Sequence, residues 1–104
     1  MSFFKNNPFD IYTSDTDYLV QTELAGINPA DIEVYVERDH LVIKAKRPIP
    51  EGTLLVGERP EASFTRKLRI DPSIDTRDIR ANYENGLLSL TLSKQAKRID
   101  VKIA

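Results

Sequence analysis

The chain has 104 residues, of which 40% are hydrophobic and 30% charged, the balance of a single globular domain. Its formal net charge is -1 and no apolar run approaches the ~20 residues of a membrane-spanning helix, so neither nucleic acid nor a membrane is an expected partner. The absence of cysteine excludes disulfides, thiolate catalysis and cysteine-based metal sites, and it fits a cytoplasmic protein.

Hydrophobic and polar residues alternate along most of the chain, which predicts β-strands with one buried face. A short first strand is predicted at Phe9–Thr13. Six further strands are predicted, and in each of them alternate residues share one face. These sets are Tyr18, Val20, Thr22 and Leu24; Ile32, Val34 and Val36; Leu41, Ile43 and Ala45; Phe64, Arg66, Leu68 and Ile70; Ile79, Ala81 and Tyr83; and Leu88, Leu90 and Leu92. About seven short strands without a long helical segment indicate an all-β, antiparallel β-sandwich.

Turn residues separate these strands. Asn85-Gly86 lies between two alternating runs and predicts a two-residue hairpin, because both positions favour positive φ. A second short turn is predicted at Arg38-Asp39-His40. Asn28-Pro29 and Asp71-Pro72 are typical of turns or one-turn helices, with proline where no N–H donor is needed.

Two segments of the chain resemble each other, 27–32 and 74–79. Each has isoleucine, then Asn28 or Asp75, and three residues later Asp31 or Asp78 followed by isoleucine. One interpretation is that Asn or Asp caps a single turn before a strand begins, and the other is an internal duplication. Both interpretations assign the two following strands matching structural positions.

The segment from Pro48 to Pro60 is long for a connection in a compact domain. It carries an apolar run, Leu54-Leu55-Val56, between Gly52 and Gly57. An apolar strand in a long loop needs a partner strand. Either it folds back on its own sheet, or it reaches over to an exposed edge of another subunit.

The end of the chain is a second irregular region. A polar, basic spacer follows Ser93, and then Ile99, Val101 and Ile103 alternate with charged residues. Extended segments of this kind bind by inserting alternate side chains along a sheet edge. The alternative is a final strand on the chain's own sandwich.

Residues with catalytic or metal-binding potential are sparse. The only histidine, His40, lies in a predicted turn and is expected to be solvated. The run from Asp15 to Asp17 lacks the calcium-loop pattern and is expected to form a turn. The glycines are scattered, so no phosphate-binding loop is present. These observations argue against an enzyme and against any cofactor or metal.

Four motifs together resemble the small heat shock protein (alpha-crystallin) family, over about residues 7–103. They are Ala81-Asn82-Tyr83-Glu84-Asn85-Gly86-Leu87-Leu88, which matches A-x-x-x-N-G-V/L-L; Glu23-Leu24-Ala25-Gly26 with Asp31-Ile32; Glu58-Arg59 with Phe64-Thr65-Arg66; and Ile99-Asp100-Val101, which is similar to the terminal I-x-I/V motif. Ala25 replaces the family's usual proline. The resemblance implies a short N-terminal segment (1–8), an immunoglobulin-like alpha-crystallin domain (9–93) and a C-terminal extension (94–104).

The family resemblance also implies a function and partners. It implies a cytoplasmic chaperone that holds partly unfolded proteins without ATP and works as a dimer, with higher oligomers formed through the C-terminal motif. The chain resembles the bacterial and archaeal branch of the family, in whose dimer the long-loop strand crosses to the partner's first strand. The residues expected at this exchange are Leu54, Leu55, Val56, Phe9, Ile11 and Arg66. The family's long apolar N-terminal region has only a short counterpart in 1–8, which argues against large oligomers and strong client holding.

The resemblance further implies that the C-terminal motif docks in a groove between two edge strands of a neighbour. The motif residues are Ile99, Val101 and Ile103, with Ile99/Val101 and Val101/Ile103 as competing registers. The groove residues are Ile32, Val34, Val36, Ile79, Ala81 and Tyr83. The alternative function is that of a weakly active adaptor of the same fold, similar to the CS-type co-chaperones, which lack the crossing strand and work as monomers.

Overall fold

The computed structural model describes residues 8–95 and 101–103. It contains β-strands and one 3-10 helix, Pro29–Asp31. The strands are β1 (Phe9–Thr13), β2 (Asp17–Glu23), β3 (Ile32–Glu37), β4 (His40–Lys46), β5 (Ser63–Arg69), β6 (Ile74–Glu84) and β7 (Leu87–Lys94). Within the described part of the chain, no helix has the length and apolar character needed to cross a membrane.

The strands form two antiparallel sheets, which confirms the predicted sandwich. One sheet has four strands in the order β1-β2-β7-β6, and the other has three strands in the order β3-β4-β5. Sequential strands pair in β1–β2, β3–β4, β4–β5 and β6–β7, whereas β2 and β7 are neighbours in the sheet although they lie far apart in the chain. Four strands lie at sheet edges: β1, β6, β3 and β5.

The core lies between the two sheets and is built from the predicted inward faces. The buried hydrophobic residues of this cluster are Val20, Leu24, Leu41, Ile43, Ala45, Ile70, Ile74, Leu88, Leu90 and Leu92. Burial of each large aliphatic side chain contributes roughly 1.5–3 kcal/mol before ordering costs. One buried polar side chain, Thr22, donates its hydroxyl proton to the carbonyl oxygen of Pro8 at 3.0 Å. This bond also ties the residue before β1 to β2.

Contacts between β1 and β5 show which edge strands of the two sheets lie on the same side of the sandwich. The guanidinium of Arg66 in β5 lies over the ring of Phe9 in β1, 4.9 Å from its centroid. A hollow further along has Ile11 of β1 on one wall and Leu68 of β5 on the other. Because β1 and β5 share one side of the sandwich, the remaining edges, β3 and β6, lie together at the opposite side.

The predicted turns are present. Asn85 and Gly86 have φ of 52° and 77° and join β6 to β7, as a type I′ hairpin requires. Arg38, with φ of 56°, opens the short turn before β4. Asn28 caps the 3-10 helix by accepting the backbone N–H of Ala30 at 3.0 Å.

The two similar segments adopt different structures. Asp75, like Asn28, accepts the backbone N–H two residues later, that of Arg77, at 3.0 Å. Asp75 nevertheless lies inside β6, where the pairing with β7 is irregular between Ile74 and Ile79. The prediction of a single turn before the strand is therefore wrong for the second segment. The hydrogen bond from the Arg77 side chain is the main cause that lowers the pKa of Asp75 below its ordinary value.

Val42 departs from the predicted alternation. The predicted buried face of β4 is Leu41, Ile43 and Ala45, which leaves Val42 on the opposite face with Lys44, yet the exposure of Val42 is 0%. Val42 is paired with Tyr35 on one side and Lys67 on the other, and Lys44 extends over the Tyr35 ring at 5.7 Å. Side chains around this position of the central strand cover Val42 on the outer face without a second layer, whereas Lys44 and Lys46 on the same face are exposed.

The β6–β7 turn supplies a test of the fold. A Cβ on Gly86 would lie 3.1 Å from both Cα and Cβ of Ala25, and its φ is positive. We predict that Gly86→Ala lowers the free energy of unfolding by about 2 kcal/mol, measured by urea denaturation.

Gly52→Ala is the matched control. Gly52 also has a positive φ, 121°, but nothing lies within 4 Å of the added Cβ and its loop is exposed. We expect a loss below about 1 kcal/mol for this variant. Equal losses for the two variants would contradict a role for the Ala25 contact.

Candidate functional site

The edge of β1 is open and partly apolar. No described strand pairs with its outer side. Ile11 and Tyr12 are both 56% exposed. Ile11 lies opposite the buried Val20 and faces the second sheet, whereas Tyr12 lies opposite Leu19 and faces outward. This edge offers unpaired backbone groups flanked by apolar side chains on both faces.

The connection between β4 and β5 carries the most exposed apolar run of the domain. Leu54, Leu55 and Val56 are 80%, 91% and 74% exposed. None of the residues 47–62 belongs to a strand, so the interpretation that this segment folds back on its own sheet is contradicted. The base of the loop is held by Arg47, which donates backbone and side-chain hydrogen bonds to the carbonyls of Ala62 and Pro60, each at 2.6 Å.

The predicted exchange residues are thus divided between two surfaces. Phe9 and Arg66 stack on each other, and Ile11 lies two residues along β1. No strand pairing connects the apolar run of the loop to β1 within the chain. The exposed run and the open edge are two separate surfaces of the single chain.

The predicted docking groove lies at the opposite side of the sandwich, between β3 and β6. Five of its six predicted residues are half-buried and pack against the core: Ile32, Val34, Val36, Ile79 and Tyr83. Ala81 is exposed. Because these strands are both sheet edges, their apolar residues border a strip of surface that no described strand covers.

Tyr83 has a structural role that the sequence did not reveal. Its hydroxyl lies 2.6 Å from the carbonyl oxygen of Leu24 and 3.0 Å from that of Ile27, and it donates its proton to them. These bonds hold the segment that leads into β3 against β6. Tyr83 therefore sets the spacing of the two strands that border the groove. An inward tyrosine at a sheet edge, which needs a partner for its O–H, was the only available signal.

The described part of the C-terminal motif is solvent-exposed. Val101 and Ile103 are 79% and 93% exposed, and residues 101–103 form no strand. The alternative of a final strand on the chain's own sandwich is contradicted for these residues. Ile99 lies outside the described residues.

The root of the C-terminal segment is held by Lys94, a role that the sequence also did not reveal. Its ammonium donates hydrogen bonds to the Thr13 hydroxyl at 2.9 Å and to the Ser14 carbonyl. It also lies 4.6 Å from the centroid of the Tyr18 ring. The end of β7 is thereby fastened to the end of β1 and the turn that follows.

Asp71 completes this cluster. It accepts the Ser73 backbone N–H at 2.8 Å, and the Tyr18 hydroxyl lies 3.5 Å from its other oxygen. Hydrogen bonds from Ser73 are the main cause that lowers the pKa of Asp71 below its ordinary value, with a smaller contribution from the positive charge of Lys94. The carboxylate is thus kept charged near the cation that fastens the chain end.

Polar side chains also cluster around His40 and around Ser14. The Nδ1 of His40 lies 2.8 Å from an Asp39 carboxylate oxygen, and the side chain is 42% exposed. His40 is the first residue of β4 and not part of the predicted turn, which is confined to Arg38 and Asp39. The Ser14 hydroxyl donates to the Asp17 carboxylate at 3.1 Å and closes the predicted turn. Within residues 8–95 and 101–103, no group of three or more potential ligand side chains is placed to hold a metal.

Comparison with known proteins identifies the family of this fold. The sequence profile of the Hsp20/alpha crystallin family matches residues 10–104. The chain belongs to the small heat shock protein family. Members of this family are chaperones and not enzymes, and the strands and edges described above form an alpha-crystallin domain.

Bacterial small heat shock proteins are among its relatives. The chain is 36% identical over 103 residues to the 18 kDa heat shock protein of Streptomyces albus G, covering 92% of this chain and 71% of that protein. It is 32% identical over 99 residues to the 18 kDa antigen 1 of Mycobacterium intracellulare, covering 93% of this chain and 66% of that protein.

Solved small heat shock protein structures share the fold. The crystal structure of a small heat-shock protein from Xylella fastidiosa, described as having a distinct high order structure, matches with a TM-score of 0.84 at 29% identity, over 95% of this chain and 94% of that chain. The hspA protein of Xanthomonas axonopodis matches with a TM-score of 0.74 at 28% identity, over 85% and 92% of the two chains.

The hydroxyl of Tyr83 gives a test of how this small heat shock protein holds its groove. We predict that Tyr83→Phe lowers the free energy of unfolding by about 1 kcal/mol, because two carbonyls lose their donor. The amides of residues 24–27 should also exchange faster with solvent. The control Tyr12→Phe alters an exposed tyrosine and should leave both measurements unchanged; equal effects would contradict the role assigned to Tyr83.

Lys94 gives a separate test at the chain end. We predict that Lys94→Met, which keeps the length of the side chain but removes its charge, speeds amide exchange of Lys94 and Gln95 by about threefold to tenfold. These amides bond to the carbonyls of Thr16 and Ser73. Lys44→Met, which alters a lysine above another tyrosine, is the control and should not change them. If the amide exchange rates of Lys94 and Gln95 were unchanged in Lys94→Met, backbone hydrogen bonds alone would hold the end of β7.

Proposed function

We propose that this small heat shock protein is a holdase: it binds partly unfolded proteins without ATP and prevents their aggregation. The observation that carries the proposal is the exposure of apolar side chains at Leu54–Val56 and on β1, together with the half-buried apolar residues that border the open edges of β3 and β6. Unfolding proteins expose the same two features, apolar side chains and unpaired backbone, and both drive aggregation. A surface that offers them reversibly competes with that aggregation.

The working unit in this proposal is a homodimer formed by exchange of the long loop. The segment Leu54–Val56 of one chain pairs with the open edge of β1 in the other, beside Ile11. A two-fold axis makes both exchanges at once, so each chain donates one segment and receives another. The exposed run and the open edge then satisfy each other. This supports the dimer over the alternative of a monomeric CS-type adaptor, which has no use for the exposed run.

Higher oligomers form in this proposal when the C-terminal motif of one dimer docks in the β3–β6 groove of another. Docking by Ile99 and Val101, or by Val101 and Ile103, buries two aliphatic side chains. Each is worth roughly 1.5–3 kcal/mol at full burial before ordering costs. Single contacts of this strength open readily, whereas several in one assembly act together by avidity. Release of the motif uncovers the groove for a client.

The clients in this proposal are unfolding proteins of the cytoplasm rather than nucleic acid or membranes. The net charge of -1 provides no general attraction to polyanions. Recognition by exposed apolar groups and backbone edges does not depend on a particular client sequence. The activity needs no cofactor, because binding and release depend only on exposure of these surfaces.

The experiment that tests the proposal is an aggregation assay without ATP. We expect the protein to suppress light scattering by a heat-unfolded test protein, with suppression that increases with its molar ratio. Deletion of residues 99–104 should reduce the native mass to that of the dimer, because the docking motif is removed. Light scattering after size-exclusion chromatography measures this mass.

Two controls make the outcome decisive. An unrelated β-sandwich of similar size should not suppress aggregation, and Lys102→Ala should leave the native mass unchanged because it spares the apolar motif. Failure to suppress aggregation at any ratio would refute holdase activity. A monomeric mass of the intact chain would instead support the CS-type alternative.

A further inference from the structure

The apolar run of the long loop has three consecutive apolar residues, which is unusual for a strand at a sheet edge. In an extended segment, Leu54 and Val56 project to one face and Leu55 to the other. A strand with one buried face would alternate apolar and polar residues instead. Three exposed apolar side chains in a row therefore require a partner that is apolar on both faces.

The edge of β1 is apolar on both faces only around Tyr12. Ile11 and Thr13 lie opposite Val20 and Tyr18 and face the second sheet. Between them, Tyr12 faces outward and is 56% exposed. The preceding residue on the same outward face, two positions before Tyr12 in the chain, is Asp10, which carries a carboxylate. The part of β1 that can receive apolar groups on both faces is thus Ile11–Thr13.

The space between the sheets points to the same stretch. A hollow of about 220 Å³ opens beside β1. Its apolar walls come from Ile11, Tyr18, Val20, Leu41, Leu68, Ile70, Ile74 and Leu92. It exceeds the roughly 150 Å³ of an apolar cavity that admits a benzene-sized group. Towards the other end of β1, the stacked pair Phe9 and Arg66 closes the gap between the sheets.

We propose a specific register for the exchanged segment, which rests on the dimer proposed above: Leu55 lies directly opposite Tyr12 of the partner subunit. Leu54 and Val56 then flank Ile11 and Thr13 and cover the hollow between the partner's sheets. Leu55 packs on the exposed tyrosine ring outside. All three apolar side chains of the loop and both exposed apolar side chains of the edge, Ile11 and Tyr12, are covered in this arrangement.

The opposite orientation satisfies fewer groups. With Leu55 turned inward beside Ile11, Leu54 and Val56 lie on the outer face, two residues apart. One of them is then opposite Tyr12 and the other is opposite Asp10, so an apolar group adjoins a carboxylate. A slip by one residue thus exchanges the faces and loses part of the buried apolar area. The register is therefore determined by the order Asp10, Ile11, Tyr12 in β1.

The experiment uses single cysteines, since the chain has none of its own. Full-length Leu55→Cys and Tyr12→Cys chains are mixed, allowed to exchange subunits and oxidised. Directly opposed residues on neighbouring strands can approach to the Cβ separation that a disulfide needs, about 3.5–4.5 Å. We expect a reducible two-chain product on a non-reducing gel. Its yield should exceed by roughly tenfold that from Leu55→Cys mixed with Asp10→Cys or with Ile11→Cys.

A control on the loop and a non-covalent measurement complete the test. Ile49 lies in the same loop and is 76% exposed, so Ile49→Cys mixed with Tyr12→Cys should give little product. Without cysteines, Leu55→Ala should raise the dimer dissociation constant about tenfold or more, and Ile49→Ala should leave it unchanged. Sedimentation of diluted samples measures the dimer dissociation constants of the two variants.

The possible failures are distinguishable. Stronger linkage of Leu55→Cys to Asp10→Cys or Ile11→Cys than to Tyr12→Cys would overturn the register and leave the exchanged dimer intact. An intact chain that sediments as a monomer, with no linkage to any cysteine in β1, would refute the exchange itself and with it the dimer of the proposed function. Linkage at Tyr12 together with a loss of dimer in Leu55→Ala supports both.

Discussion

The constraint on which this domain depends is that backbone N–H and C=O groups at an open strand edge need hydrogen-bonding partners. A sandwich of one four-stranded and one three-stranded sheet has four edges, and only closure into a barrel would remove them. Here they are grouped in pairs, β1 with β5 and β3 with β6. The core between the sheets holds each pair at a constant spacing. The open edges are therefore two long, partly apolar grooves on opposite sides of one rigid body.

Each groove has its own stabilising contacts. On the β3–β6 side, the Tyr83 hydroxyl fastens the segment before β3 to β6, so the two borders of the groove are tied together. On the β1–β5 side, the stack of Arg66 on Phe9 closes one half of the gap and leaves the other half as a hollow. Lys94 fastens the end of β7 beside the end of β1. The segments that the proposed function assigns to these grooves leave the domain from well-held points.

The proposed function separates the stable core of this domain from the surfaces that are proposed to bind partners. The buried aliphatic residues of β2, β4 and β7 form a core that no proposed exchange or docking step disturbs. The residues proposed to bind partners lie instead on edges, in a loop and at the chain end, where few groups must reorganise when contacts open. In the proposed function, assembly and client holding use the same two features, apolar side chains and unpaired edges. In that proposal, assembly and client holding compete for the same surfaces.

The amino-acid pattern by itself determined most of the fold and the nature of its surfaces. The alternation from Tyr18 to Leu24 and from Leu88 to Leu92, and the Asn85-Gly86 turn, predict strands, inward faces and a hairpin, because these depend on neighbouring residues and the two-residue period of a strand. The exposed loop run and the C-terminal motif stood out in the same way. Their pairing with particular grooves was suggested only by the family resemblance.

The tertiary structure alone decided which edges meet and which side chains hold them. The pairing of β2 with β7 brings together residues about 70 positions apart, and no local pattern encodes it. The burial of Val42, the irregularity in β6 at Asp75, the bonds of Tyr83 and the anchoring by Lys94 all depend on neighbours from distant strands. Period-two alternation records whether a side chain points in or out. What it meets there is determined by the packing of two sheets.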